Sequence, residues 1–299
     1  MITFALFDIV YSSSHPLSNP IMFTHRHAFI VFASGPLTGH WISLGYCALF
    51  FALSLTLLAG HFLYRYLLIC KNNWMFIFNK LQFLPFLIVV WLSTGFAWVA
   101  FVHFGMTDFK ETRDYTRVAL RREFDMDADK VQMVGPLFFL DGPTNNLIIF
   151  WPAWFAMAGC FSILGSTFGM ILFCSFEIHS KLKSCTMSEK SKRLQYELFK
   201  ALIVQAVIPA IFEYTPCLVA FSSALFGIPL GRWTNICPTL LTFYTWLDPI
   251  CIILCVKDYR MAIGKLLSGQ TKISSHQETS YSIPRSRVDS YAKKEISKD

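Results

Sequence analysis

Five long stretches of the chain carry almost no charge, and this feature constrains the fold more than any other. The stretches are 41–64, 81–104, 147–176, 198–226 and 236–256. Only Lys200, Glu213 and Asp248 are charged within them. Each stretch is long enough to cross a hydrocarbon core of ~30 Å as a helix rising 1.5 Å per residue. Because a helix satisfies its own backbone polar groups in lipid, the sequence predicts five transmembrane helices.

The overall composition is typical of a membrane protein. Hydrophobic residues make up 54% of the 299 residues, and charged residues make up only 15%. Soluble domains carry about 25% charged residues, so a soluble fold of this length would lack polar surface. We therefore predict an all-α membrane protein, a bundle of transmembrane helices with five complete spans.

The basic residues between the spans predict which side of the membrane each connection faces. Three segments are rich in Lys and Arg: 65–80, 177–197 and the tail 257–299. On the alternate side, residues 1–40 contain only Arg26, and 227–235 contain only Arg232. Because cytoplasmic connections carry the excess of Lys and Arg, the tail is predicted to be cytoplasmic and residue 40 to lie outside. The net charge of +7 then lies mostly beside the inner leaflet and requires no nucleic-acid partner.

The segments outside the spans differ in composition. Residues 1–40 join a short apolar run, 2–10, to a polar stretch with prolines, and Gly35-Pro36 is typical of a helix start. The acidic connection 105–146 can hold a soluble helix over 114–124.

The C-terminal region divides into two parts. Residues 257–267 have apolar and basic faces and predict a helix on the membrane surface. Residues 268–299 are rich in Ser and Lys with few apolar residues, which predicts a disordered cytoplasmic tail.

Three motifs lie at or inside the spans. They are Tyr64-Arg65-Tyr66, Pro209 with Gln205, and Asp248-Pro249 followed by Tyr259-Arg260. Each alone has a structural explanation, because an Arg at a helix end reaches for the interface and a membrane proline is commonly a packing adaptation. The functional interpretation rests on the three motifs together.

Four blocks of the sequence resemble one receptor family. They are HFLYRY at 61–66, DYTRVALRREFDMDADKVQMVGPLFF at 114–139, LQYELFKALIVQAVIP at 194–209 and LDPICIILCVKDYR at 247–260. In order and spacing they resemble the nematode serpentine chemoreceptors of the Str type, which are seven-helix G-protein-coupled receptors. The resemblance covers residues 2–265.

The resemblance implies roles for the three motifs. Tyr64, Arg65 and Tyr66 would face a G protein, Pro209 and Asp248-Pro249 would form a switch, and Tyr259-Arg260 would open the surface helix. This chain departs from the broader rhodopsin-like class, because Tyr64 replaces the usual acid before the Arg. Ile252 likewise replaces a Tyr after Asp248-Pro249.

The resemblance also implies that residues 2–10 form the outer end of the second of seven helices. The first helix and most of the second would then be absent. We therefore expect a receptor with a truncated N-terminus, inactive in this 299-residue form.

Glu213 is the candidate for ligand selection. It follows Pro209 by four residues, about 6 Å further towards the predicted outside. A carboxylate facing lipid would be costly, so it is expected to face the bundle interior. Two alternatives remain open: a hydrogen bond to another helix, or preference for a cationic or hydrogen-bond-donating ligand in a pocket with Tyr214, Phe221 and Tyr244.

The sequence as a whole predicts a chemosensory receptor of olfactory type in the plasma membrane of sensory neurons or their cilia. Its partners would be a small-molecule ligand outside, a heterotrimeric G protein inside and membrane lipids. The alternative is a secondary transporter, which commonly shows internal repeats and more intramembrane charges. No catalytic constellation or cofactor motif is present, so no enzyme is predicted. No metal site is predicted at His15, His25, His27 and His40, which lack acidic or Cys ligands at suitable spacing.

Overall fold

The structure is a computed structural model that describes residues 2–36, 41–74, 78, 83–107, 109–143, 146–184, 188–255, 260, 261, 263, 264 and 268. Inside the helices, the side chains of 2–6, 8, 14, 41, 72, 244–246, 248, 249, 252 and 255 are outside the described set. Residues 1–257 form one compact unit, and 258–299 form a second. In the second unit, Arg260 and Met261 are helical.

Eight α-helices form within the described residues. They are α1 (Ile2–Ser18), α2 (Trp41–Cys70), α3 (Leu84–Met106), α4 (Lys110–Phe124), α5 (Trp151–Ser184), α6 (Glu189–Pro209), α7 (Thr215–Leu225) and α8 (Ile236–Cys255). Four helical stretches are long and apolar enough to cross a membrane: Ile42–Cys70, Leu84–Met106, Trp151–Ser184 and Glu189–Leu225. Helix α8 lies where the fifth span is predicted. The prediction of a mostly helical membrane protein is confirmed.

Helix α1 extends further than its apolar residues 2–10 suggest. It continues through a polar stretch and Pro16 to Ser18. Tyr11 and His15 lie one turn apart on this helix, and both are buried against the bundle. Because tertiary packing contributes most of the stability of a helix in a protein, this buried face keeps the polar stretch helical.

Two other expectations concern helix starts. Gly35 and Pro36 form a bend and a turn, and helix α2 begins only at Trp41, so the predicted start at Gly35-Pro36 is wrong. The helix predicted over 114–124 is confirmed, and it begins earlier, at Lys110.

Small residues let the backbones of α3 and α5 approach closely. A Cβ added to Gly105 would lie 2.3 Å from the Cβ of Ala156 and 2.6 Å from the carbonyl oxygen of Pro152. Gly165 and Gly169 have the spacing of a helix-contact motif, yet no described atom lies within 4 Å of a Cβ added to either. The contact that depends on small side chains is therefore at Gly105.

Strands, which the sequence did not predict, form at the ends of the bundle helices. Strands β1 (Pro20–His25), β2 (Ala28–Ala33) and β3 (Met133–Val134) make an antiparallel sheet in the order β1-β2-β3. Strands β4 (Phe139–Asp141) and β5 (Leu147–Ile149) make a separate hairpin. We call β1, β2, β3 and helix α4 the cap, and the bundle end that carries it the capped end.

The sheet of the cap is buried on both faces because its side chains alternate. Phe29 and Val31 point towards the helix bundle, whereas Ile30 and Phe32 join a core cluster with Leu120 of α4. Alternation along a strand places neighbours on opposite faces, and here both faces are apolar. The residues of Ala28–Ala33 are all apolar because both faces of this strand are packed against other parts of the protein, which would not hold for a surface loop.

Charged side chains cover the outer surface of the cap. Arg117 donates to Asp114 at 3.0 Å and forms two hydrogen bonds with Asp129, which lower the pKa of that carboxyl. Arg26 and Asp141 form another ion pair, at 2.5 Å. Exposed pairs of this kind contribute little energy, so the apolar faces supply most of the stability of the cap.

Strand β1 also binds the turn that precedes α8. The backbone N–H of Met22 donates to the Asn235 side chain at 2.8 Å, and the N–H of Gly231 donates to the carbonyl of Thr24 at 3.0 Å. The buried hydroxyl of Thr234 donates to that of Thr24 at 3.0 Å. These bonds fix the hairpin over the bundle.

Candidate functional site

A cavity of about 180 Å³ lies in the bundle directly beneath the cap. Its walls come from α1, α2, α3, α5, α7 and α8, and the cap closes it above. Nearly all the lining side chains are aliphatic, aromatic or sulfur-containing, and the polar atoms come from Tyr11, His15, Trp98 and Tyr214. An apolar cavity of about 150 Å³ can hold benzene, so this one fits a ligand of roughly that size.

A buried hydrogen bond joins helix α1, in the wall of the cavity, to the helical stretch Glu189–Leu225. Tyr11 of α1 donates its hydroxyl to Oε1 of Glu213 at 2.7 Å, and Glu213 is 0% exposed. His15 lies one turn along α1, with its ring centroid 5.3 Å from that of Tyr11. The two ring nitrogens of His15 have no hydrogen-bond partner among the described residues. The three side chains form a polar corner in an otherwise apolar site.

The backbone around Glu213 has an unusual local form. Helix α6 ends at Pro209, and Ala210–Tyr214 form a single π turn before α7 begins. The N–H and the hydroxyl of Thr215 both donate to the carbonyl of Ala210. Such turns are frequent at functional sites. Here the turn buries Glu213 and places Tyr214 beside it on the cavity wall.

The opposite end of the bundle holds Arg65, and we call it the Arg65 end. Nη1 of Arg65 donates to Oε1 of Gln195, near the start of α6, at 3.3 Å. Tyr64 packs edge-on against Phe78, and Tyr66 packs against Phe173 of α5. An apolar core from α2, α5 and α6 lies between Arg65 and the cavity.

Comparison with known proteins identifies the family. Residues 1–264 match the family model described as serpentine type 7TM GPCR chemoreceptor Str. The chain belongs to the Str chemoreceptor family. It is 28% identical over 301 residues to Serpentine receptor class J-38 of Caenorhabditis elegans, an alignment covering 95% of this chain and 86% of that protein. It is 26% identical over 281 residues to G-protein coupled receptor str-33 of the same organism, covering 90% and 80%. It is also 27% identical to Serpentine receptor class r-10 of Caenorhabditis briggsae, covering 94% and 83%.

No solved structure matches the chain. Membership of the Str family confirms the family predicted from the four sequence blocks and supports a chemoreceptor role. It also identifies a multi-pass membrane protein and does not favour the alternative of a transporter.

The structure brings together some of the residues predicted for ligand binding in this Str receptor. Tyr214 and Phe221 line the cavity. Glu213 is not on the lining and lies behind Tyr11, so its direct contact with a ligand stays a prediction. The side chain of Tyr244 is outside the described residues.

The residues predicted for coupling are described only in part. Arg65, Tyr64 and Tyr66 lie at the Arg65 end, and Arg65 follows Trp41, the first residue of α2, by 24 residues or about 36 Å along the helix axis. The side chains of Asp248 and Pro249, and all of Tyr259, are outside the described residues, and Arg260 is helical and exposed.

Among the lining residues of the Str receptor that sequence reasoning missed are the polar side chains of α1, Tyr11 and His15. Residues 1–40 were interpreted as a short apolar run followed by a polar loop. The signal was present as a spacing: Phe7, Tyr11 and His15 recur every four residues, which places them on one face of a helix. All three are buried.

The hydrogen bond between Tyr11 and Glu213 gives a prediction for stability. Tyr11→Phe removes the donor to a buried carboxylate, which costs about 1–3 kcal/mol and should lower the thermal unfolding midpoint of the purified receptor. Glu213→Leu should do the same, and the double variant should be little worse than either single one. Tyr46→Phe is the matched control, because the described contact of Tyr46 is with the ring of Phe50. Additive losses would show that the two groups do not act as a pair.

Glu213→Gln separates a packing role from ligand selection. The amide oxygen can still accept from Tyr11, so a packing role predicts a nearly unchanged order of agonist potencies at normal surface level. A change of about tenfold for one ligand class, about 1.4 kcal/mol, would instead assign Glu213 to ligand selection.

Proposed function

We propose that this Str-family chain is a plasma-membrane chemosensory receptor, not an enzyme, with a small-molecule site in the capped cavity and a site for a heterotrimeric G protein at the Arg65 end. Tyr214 and Phe221 contact the ligand, and Tyr64, Arg65 and Tyr66 contact the G protein. Sensory neurons and their cilia are the expected location, as sensory perception of chemicals requires.

The observation that carries this proposal is that two helical stretches run from the cavity to the Arg65 end. Helix α2 contributes Phe51 to the cavity wall and carries Arg65 at its far end. The stretch from α6 through α7 contributes Tyr214 and carries Gln195. A ligand that shifts these stretches at one end changes the Arg65–Gln195 contact at the other. A ligand changes such an equilibrium by its different affinity for the two arrangements.

The orientation of the receptor is part of the proposal. The capped end faces outside and the Arg65 end faces the cytoplasm, supported by the basic connections 65–80 and 177–197. The ligand then arrives from the outer side and the G protein from the inner side.

A glycosylation reporter tests the orientation. An acceptor sequence inserted after the exposed Lys130 of the cap should be glycosylated, because that side enters the lumen during synthesis. The same sequence inserted between Ser184 and Ser188 should stay unmodified. Gel mobility with and without glycosidase measures the modification at both positions. The reverse pattern would show that the orientation is opposite to the proposed one.

The Arg65–Gln195 contact leads to a prediction for signalling. In a signalling-competent form of the receptor, Arg65→Ala should abolish agonist-stimulated nucleotide exchange on the G protein while agonist binding persists, because the guanidinium is the group that reaches the G protein. Gln195→Ala should raise ligand-independent exchange by about threefold to tenfold. That factor corresponds to about 0.6–1.4 kcal/mol, the scale of one hydrogen bond.

Arg193→Ala is the matched control for both variants. Arg193 lies two residues from Gln195, is exposed and pairs with Glu197 in its own helix, so its loss should leave exchange unchanged. Signalling that survives in Arg65→Ala at normal surface level would reduce Arg65 to an interfacial residue.

A further inference from the structure

The cavity has exposed wall residues in one place. Of the described lining side chains at the capped end, Met22, Phe29 and Pro136 are buried, and Pro20, Val31 and Val134 are half-buried. The two described lining side chains that are exposed are Phe161, at 41%, and Leu218, at 52%. Phe161 belongs to α5 and Leu218 to α7, both of which lie in stretches apolar enough to cross a membrane. The exposed part of the wall therefore faces lipid between α5 and α7.

A second cavity, of about 200 Å³, occupies this seam. Three of its lining residues also line the central cavity, and the others are Phe138, Trp154, Ala158, Ser222 and Leu225. The shared residues are Met157, Phe161 and Phe221. Helix α5 packs closely on α2 and α3, whereas its backbone has little contact with α7. The two cavities are thus separated by side chains, which can change rotamer without moving the helices.

Two other surface grooves differ from this seam. The crevice between α3 and α5, which contains Ala97, shares no described lining residue with the central cavity. The groove between α1 and α8, which contains Thr239, shares His15 and Pro20 with it. His15 is only 8% exposed and closes that side. Of the three sites, the seam between α5 and α7 is the one that shares an exposed side chain, that of Phe161, with the central cavity.

We propose that this seam is a lateral window through which the ligand enters from the bilayer, and that the ligand is an uncharged apolar molecule about the size of one aromatic ring. The inference rests on the proposed role of the cavity as the ligand site. It fits the closed cap, whose sheet is packed on both faces and offers no comparable opening among the described residues. It also fits the chemistry, because each buried CH₂ favours hydrocarbon over water by about 0.8 kcal/mol. Five such groups concentrate a ligand in the bilayer about a thousandfold.

Thiols in the cavity allow a test that needs neither an identified ligand nor a G protein. Cys47, Cys160 and Cys217 line the cavity, and Cys70 lies at the Arg65 end as the reference. The full chain in lipid nanodiscs is treated with benzyl methanethiosulfonate, which is uncharged and apolar, or with the trimethylammonioethyl analogue, which carries the same reactive group on a cation. Mass spectrometry of the peptides gives the rate at each thiol. We expect the benzyl reagent to modify the cavity thiols at least tenfold faster than the cation, relative to Cys70.

Blocking variants then locate the route. Ala158→Phe and Ser222→Phe each fill the seam and should slow benzyl labelling of the cavity thiols about tenfold. Ala97→Phe, in the unconnected crevice, and Thr239→Phe, in the groove beside His15, should leave the rate unchanged. Unfolding midpoints near that of the unmodified chain show that each variant is folded, and either of the two seam variants suffices.

Three results would overturn the window. They are equal labelling of the cavity thiols by the cation, slowing by Thr239→Phe in place of the seam variants, and no slowing by the folded seam variants. Because the labelling assay contains no G protein, a result that overturns the window does not affect the predictions for Arg65. A chain that fails to activate a G protein can equally still show the window.

Discussion

The need to satisfy every backbone polar group within the lipid determines most of this architecture. Inside the hydrocarbon, only helices meet that need along a single segment, so the uncharged stretches of the chain are helical. The strands of the described residues lie at the capped end, where they pair with one another and with the turn before α8. The one irregular backbone inside a span-length stretch is the π turn at Ala210–Tyr214 among the described residues, and its carbonyl at Ala210 receives two donors from Thr215.

The helices were predictable and the cap was not, for a physical reason. A span is recognised from local composition alone, since lipid disfavours charge along nearly all of its length. The cap depends on contacts between distant segments: Phe32 of β2 pairs in register with Met133 of β3, and Ile30 packs near Leu120. A short run such as Ala28–Ala33 does not specify which distant residues will cover its two faces.

The candidate site was predictable to a similar extent. Tyr214 and Phe221 followed from their place in a span, and the cavity includes both. Tyr11 was hidden because its partner, Glu213, lies 202 residues away. Composition identified Glu213 as a carboxylate that must avoid lipid. The fold shows that the hydroxyl of Tyr11 donates a hydrogen bond to this carboxylate. That hydrogen bond is the contact that the packing alternative predicts for Glu213.

The small volume of the cavity limits how long a ligand stays bound. A site of about 180 Å³ holds a ligand of about eight non-hydrogen atoms. At about 1 kcal/mol per atom, within the range known for small ligands, the dissociation constant is about 1 μM. With an association rate of about 10⁶ M⁻¹s⁻¹, a bound molecule leaves in about one second. We expect a receptor built around such a cavity to follow the rise and fall of its stimulus rather than accumulate it.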